Sequence, residues 1–302
     1  MQLSRTEYQQ TFDGLEKSGI IVSLTRSSQM GILGFDGEEY PAPSFEQLSS
    51  LWQSNRVLID YKTRQGFSQL LLTPLAAPIT TLLAGVDTML RELGSAGILV
   101  RARETPSASQ RPVVPNKKST AWIWEKVNRQ LDSPELVYFP KNYDPAGHHG
   151  MPKTNAVADK SICAVPGWSV GLIETNVFLP RPVQGKILAE QRQLDNELTP
   201  REHLEILKQP ANRGETGWTL EDFLTCFLIR LCATNEVSYD RSDGNALWLL
   251  GNFLPQAVDY GRLVLTAFWC SGAGRKLYIS AHRSGNKFQD WGARTVVRFT
   301  GN

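Results

Sequence analysis

A chain of 302 residues with 41% hydrophobic and 9% aromatic residues, including 8 Trp, has enough apolar matter for a buried core, which excludes a disordered polymer. Its formal net charge of +2 is too near neutrality to predict nucleic-acid binding from charge alone. No run approaches the roughly 18 apolar residues that cross a bilayer, and the polar start MQLSRTEYQQTF is no secretory signal. The expectation is therefore a cytoplasmic protein, or a particle component made there, without membrane insertion.

A length of 302 residues suggests about two domains at roughly 150 residues each. Ser4 and Glu7 have capping-box spacing, which predicts a helix over roughly 5–17. Residues 20–34 read as two strands joined by a polar turn, with a second turn at Asp36-Gly37. Ser44 and Gln47 form a second capping box, before Phe45, Leu48 and Leu51 at helical spacing. A short apolar strand ending at Thr73 and a helix over about 78–93 complete a small α+β unit, residues 1–104, of unknown role.

Residues 105–119, TPSASQRPVVPNKKS, combine Pro, Ser and Lys without periodicity and read as a linker. Strand-like segments follow: TAWIWEKV, where Trp122 and Trp124 share one face, then ELVYFPKNY and GWSVGLIETNVFLPRP. Thr199-Pro-Arg-Glu202 caps a helix, and Thr219 begins a stronger one. Leu220, Phe223, Leu224, Phe227, Leu228 and Leu231 form the apolar stripe of that second helix. From Tyr239 onward short strands alternate with turns, notably Asp243-Gly244 and Gly272-Ala-Gly274.

The chemistry-bearing patterns are incomplete. Gly272-x-Gly274-Arg275-Lys276 has neither the third glycine nor the P-loop spacing of a nucleotide site. His203-Leu-Glu205 has no Pro-Cys-x-x-Cys partner for a zinc deaminase, and His148-His149 has no carboxylate or cysteine at ligand spacing. Cys163, Cys226, Cys232 and Cys270 contain no C-x-x-C pair; Cys226 and Cys232 point to different faces of one helix. No nucleophile elbow occurs, so the sequence predicts neither enzyme activity nor a metal or other cofactor. Arg262, Arg275, Lys276, Arg283, Lys287, Arg294 and Arg298 lie among aromatics. They suit either single-strand nucleic-acid binding or, for Arg294 and Arg298, structural ion pairs.

Read in order, WLLGNFLP, AFW, RKLY and the closing GARTVVRF resemble the ending of the variable proteins of diversity-generating retroelements. GWSVGLIE, LPRP, LTPREHLEIL, GETGWTLEDFLTCFLIRL and TNEV are similar to the segments that precede it there. GFDGEEYPAPSFEQL and LVYFPKNYD extend the resemblance over most of the chain. It implies a C-type lectin-like domain over 120–302, related in shape to formylglycine-generating enzymes, in an overall α+β fold. It also implies that reverse transcription of a template repeat, error-prone at adenines, rewrites a region of about 258–302.

The fixed frame would be Trp248, Leu250, Gly251, Trp269, Arg275, Gly292, Ala293, Arg294 and Val296. The diversified ligand-binding positions would be Phe268, Cys270, Ser271, Ser280, His282, Ser284, Asn286 and Phe288, together with Tyr260 and Arg262. Lys287, Gln289 and Trp291 fit an adenine-rich palette less well, and Tyr278 suits either a variable site or the core. The partner would be a protein or other macromolecule, bound without catalysis. The alternatives are an enzyme on the formylglycine-generating fold, whose paired cysteines find no counterpart here, and a nucleic-acid-binding module.

Overall fold

A computed structural model describes residues 2–103, 112–179, 187–188, 191–192, 194–255, 261–272 and 274–301. Helix α1 (Arg5–Lys17) starts where the Ser4 hydroxyl accepts from the Glu7 N–H. The capping box is not completed, because the Glu7 carboxylate accepts instead from Leu70 N at 2.6 Å. Burial pushes that carboxyl above its usual pKa, against the lowering effect of the Leu70 bond. The expected cap has become a tie between the first helix and a strand.

Strands β1 (Val22–Ser23), β2 (Met30–Leu33) and β3 (Glu39–Pro41) make an antiparallel meander turning at Asp36-Gly37, where Gly37 takes φ +79°. The complete Ser44–Gln47 capping box opens α2 (Phe45–Ser54), and α3 (Arg56–Thr63) follows. After β4 (Phe67–Thr73) come α4 (Ile79–Ser95) and β5 (Val100–Arg101). The TAWIWEKV segment is a strand only over β6 (Ala121–Ile123); Trp124 begins the single turn α5 (Glu125–Asn128). β7 (Val137–Tyr138), α6 (Lys153–Ala158) and β8 (Ser169–Glu174) lead to the two-stranded pair β9 (Ile187–Leu188) and β10 (Gln191–Arg192).

Helix α7 (Pro200–Leu207) has the predicted Thr199–Glu202 box with Pro at its start. Thr199→Ala is expected to cost about 1 kcal/mol, read as a shift of the urea midpoint; an unchanged midpoint would show that packing alone holds α7. β11 (Glu215–Gly217) precedes α8 (Leu220–Thr234), which Thr219 and Asp222 cap reciprocally. All six predicted stripe residues of α8 are buried, but so are Glu221, Asp222, Thr225, Cys226 and Ile229. The helix is a central rod surrounded by protein, not a surface helix with one apolar stripe. β12 (Glu236–Val237), β13 (Ala246–Leu254), β14 (Leu263–Cys270), β15 (Lys276–Arg283), β16 (Trp291–Ala293) and β17 (Thr295–Arg298) complete an α+β fold.

Two sheets organise the molecule. One is antiparallel, in the order β11-β17-β8-β4; the other runs β16-β13-β14-β15-β6, with β7 also on β13. The N-terminal strand β4 is thus paired with β8, whose other edge pairs with the C-terminal strand β17. Leu15, Trp52, Leu72 and Val86 share one apolar core with Trp168, Phe223, Trp269 and Phe299. The expected boundary at 105–119 therefore separates stretches of chain without separating cores. Of that expected linker, residues 105–111 lie outside the described residues. Asn116 N donates to Arg275 O across the 274–276 turn.

Buried charges pin this core. Lys62 Nζ lies 2.5 Å from Glu215. Lys153 Nζ reaches Asp132 at 2.5 Å and Glu221 at 2.9 Å, and Tyr138 donates to Glu221 at 2.7 Å. Arg298 pairs with Asp222 and donates to Ser169 and Thr216, which settles its role as structural. Arg294 likewise pairs with Glu174 and donates to the Phe178 carbonyl.

Candidate ligand-binding surface

Strand β15 sorts its residues by alternation. Leu277, Ile279 and Ala281 point into the main core, whereas Lys276, Tyr278, Ser280 and His282 are half-buried on the opposite face. The register with β14 sets Val264 opposite His282, Thr266 opposite Ser280, Phe268 opposite Tyr278, and Cys270 opposite Lys276. In parallel register, β6 adds Trp122 beside Tyr278, with ring centroids 5.4 Å apart.

The β13–β14 half of this face is covered. Phe288 and Trp291, from the chain after β15, pack on Trp248 at 5.8 and 4.9 Å between centroids. His282 sits edge-on to Phe288 at 5.2 Å and to Trp291 at 5.0 Å. Burial holds its imidazole below the usual pKa, and the Arg241 guanidinium adds to that shift. The β15–β6 half stays open as a cleft of about 500 Å³, lined by Trp122, Trp124, Leu263, Ser280, Ala281, His282, Arg283 and Asn286. It combines large aromatic walls with hydroxyl, imidazole and amide groups, a set able to hold a ligand by stacking and hydrogen bonding.

The nominated variable positions divide. Ser280, His282 and Asn286 meet at the cleft. Arg262 is exposed, 4.0 Å from Asp144, and Phe288 is half-buried against Trp248. Cys270 is half-buried at the strand end, and Ser271 donates to Asp240. Two expectations of surface exposure fail. Phe268 is 7% exposed, because its ring is stacked on Tyr278 at 5.4 Å and flanked by Trp291. Ser284 is 1% exposed, because its N–H donates to Arg262 O and its hydroxyl accepts from Arg201 Nε at 3.1 Å. Tyr260 lies outside the described residues.

The nominated frame is mostly interior. Trp248 and Trp269 are fully buried; Trp269 stacks on Phe227 at 6.4 Å and its backbone N–H donates to Tyr239 O. Leu250, Gly292, Ala293 and Val296 are buried too. Gly251 lies in the irregular stretch between Leu249 and Phe253, where a Cβ would stand 2.7 Å from Gly217 O and 2.9 Å from Trp218 O. Only hydrogen fits that close backbone approach. Arg275 departs from expectation. Its side chain is exposed, and it contributes through its backbone, turning at φ +45° and accepting from Asn116 N.

The other candidates resolve into structure. Strand β15 follows Gly274 directly, so no helix N-terminus stands there to face a phosphate. His203 is buried in α7, and His148 Nδ1 accepts from Gly150 N. Cys226 lies against the Tyr239 hydroxyl, and Cys232 against Gly14 O; burial pushes each thiol up to about 11, and Cys163 to about 12. These raised values disfavour the thiolate that reactive or metal-binding cysteines require. Among the described residues, no cluster of three or more His, Cys, Asp or Glu side chains is placed to hold a metal ion. No helix among them is long and apolar enough to cross a membrane.

Sequence reasoning missed the two tryptophans as cleft residues. The W-x-W alternation in TAWIWEKV carried the signal, but their distance of some 160 residues along the chain from His282 hid the pairing of β6 with β15. No protein-family model, no curated protein and no solved structure matches this chain.

Proposed function

We propose that this is a non-enzymatic ligand-binding protein whose binding surface is the open β15–β6 face, on a C-type lectin-like scaffold diversified by a retroelement. The observation that carries the reading is the alternation in β15. Half-buried Ser280 and His282 open to the cleft, while Leu277 and Ile279 are core and Ala281, a core residue, reaches the cleft only at its wall. Such an arrangement lets ligand contacts change without disturbing the interior. The diversification itself rests on the resemblance of WLLGNFLP, AFW, RKLY and GARTVVRF to variable-protein endings.

Sequencing the flanking locus tests it. A neighbouring reverse transcriptase and a near-repeat of the 3′ end are expected, with mismatches at template adenines. Those mismatches should fall on the codons of Ser280, His282 and Asn286 and spare Leu277, Ile279 and Ala281. Mismatches spread over both sets, or no repeat at all, would refute diversification. In the protein, Ser280→Tyr and Asn286→Asp are expected to change stability by no more than about 0.5 kcal/mol, measured by thermal melting. A collapse on either substitution would place these residues in the frame instead.

A further inference from the structure

The open face has a charge and a shape of its own. Asn116 holds the 116–119 turn against the β14–β15 turn, through its N–H to Arg275 O at 2.9 Å and its amide to Gly274 O at 3.2 Å. This brings Lys117 and Lys118 alongside Arg275 and Lys276 at one end of β6. The first three are exposed, and Lys276 Nζ lies 5.6 Å from the Tyr278 ring centroid. Among the described residues none of the four has an acidic partner. The nearby Asp87 carboxylate is already bound by Arg91 and Thr120. At the other end of the cleft, Arg283 lines the wall and Lys126 Nζ lies 5.8 Å from the Trp124 ring.

Strand β6 is also the outermost strand of its sheet. Thr120 O accepts from Leu277 N, and Trp124 N donates to Ile279 O. The intervening alternation turns the Ala121 N–H and both backbone groups of Ile123 toward the open edge. Trp122, 40% exposed, stands on that edge above the cleft.

Resting on the reading of this face as the binding surface, we propose that its ligand is an extended acidic polypeptide segment. The segment's backbone pairs with the open edge of β6, and a large apolar side chain enters the cleft beside Trp122 and Trp124. Its carboxylates meet Lys117, Lys118, Arg275 and Lys276. A single-stranded nucleic acid would also stack on tryptophan and neutralise lysine. It has no amide donors and acceptors at the strand repeat, so the unpaired edge favours a polypeptide.

Panning random linear peptides displayed on phage against the full chain, with oligothymidylate titrated in parallel, tests this. The retained peptides should carry an excess of Asp and Glu around one large apolar residue, and their affinity should fall with added salt. Lys118→Glu combined with Lys276→Glu should weaken them about tenfold or more, as should Trp122→Ala, with melting temperatures unchanged. Peptides without acidic excess that still depend on Trp122 would overturn the acidic class and keep the surface. Acidic peptides indifferent to both Trp122→Ala and Ser280→Arg bind elsewhere, and would overturn the inference and the surface together. Oligothymidylate binding that the same variants abolish, with no peptide retained, would reassign the face to nucleic acid. Retention of neither probe would overturn the inference while the locus sequence tests diversification separately.

Discussion

Arg298→Met is expected to destabilise the fold by about 3–5 kcal/mol, the cost of leaving a buried carboxylate without its cation. Arg298 is 3% exposed and sits on β17, the strand between β11 and β8. Its guanidinium reaches Asp222 at the start of α8, Ser169 on β8 and Thr216 on β11, and lies 4.8 Å from the Phe139 ring centroid. One side chain thus joins three strands to the central helix. Methionine keeps most of the volume and removes the charge, so Asp222 would stay buried with only neutral donors: Thr73 at 2.7 Å, and the Thr219 backbone at 2.9 Å and hydroxyl at 3.1 Å. In a chain of this size the melting temperature should fall on the order of ten degrees. Adding Asp222→Leu should restore part of the loss by removing the stranded charge, but not all, because Asp222 also caps α8. A loss below about 1 kcal/mol in the single variant would show that water or relaxation solvates Asp222, and that Arg298 does not hold these strands to α8.

That result matters for function because the same chain segment supplies both support and surface. Within β15 buried residues alternate with half-buried ones, and β16 and β17 beyond the 284–290 turn are buried throughout. A period of 2 was readable in KLYISAHR, since Leu277, Ile279 and Ala281 are apolar and Ser280 and His282 are polar. The capping boxes at Ser44, Thr199 and Thr219 were legible for a similar reason: each is a local pattern closed by a local bond. Glu7 shows the limit. It has box spacing, but a long-range donor, Leu70 N, competes for its carboxylate.

The burial of Phe268 and Ser284 was hidden for the same kind of reason. Nothing within β14 or the 284–290 turn tells that Trp291 folds over one or that Arg201 reaches the other. The joint core was hidden too. A Pro- and Ser-rich stretch at 105–119 reports local chain stiffness and polarity, whereas the pairing of β4 with β8 spans roughly 100 residues. Trp122 and Trp124 belong with these. Their side-chain character was visible, and their place beside His282 depended on a parallel pairing that no local signal encodes.

Acid should destabilise the parent chain more than a variant lacking His203, beginning at the helix that supports the cleft. His203 lies on α7, 0% exposed, and neither ring nitrogen has a hydrogen-bond partner among the described residues. Burial holds its pKa down at about 4, with the Glu202 carboxylate opposing that shift only weakly. In the unfolded chain the imidazole titrates at its ordinary value of about 6.5. Between these two values the unfolded state binds a proton that the folded state refuses, so stability rises with pH there. The contribution is fully present above about pH 6.5 and is lost as the pH falls toward 4, reaching about 2 kcal/mol at pH 5. His203→Leu should remove that slope, so the difference in urea midpoint between pH 7 and pH 5 should shrink relative to the parent chain. Equal slopes in both proteins would mean that the His203 ring finds water or a partner when protonated. The consequence reaches the cleft, because Arg201, two residues away on the same helix, holds Ser284 at the end of β15. Loss of α7 docking would free the turn that carries Asn286 while leaving the buried ion pairs of the main core in place, so ligand affinity should decline at a pH where the fold still stands.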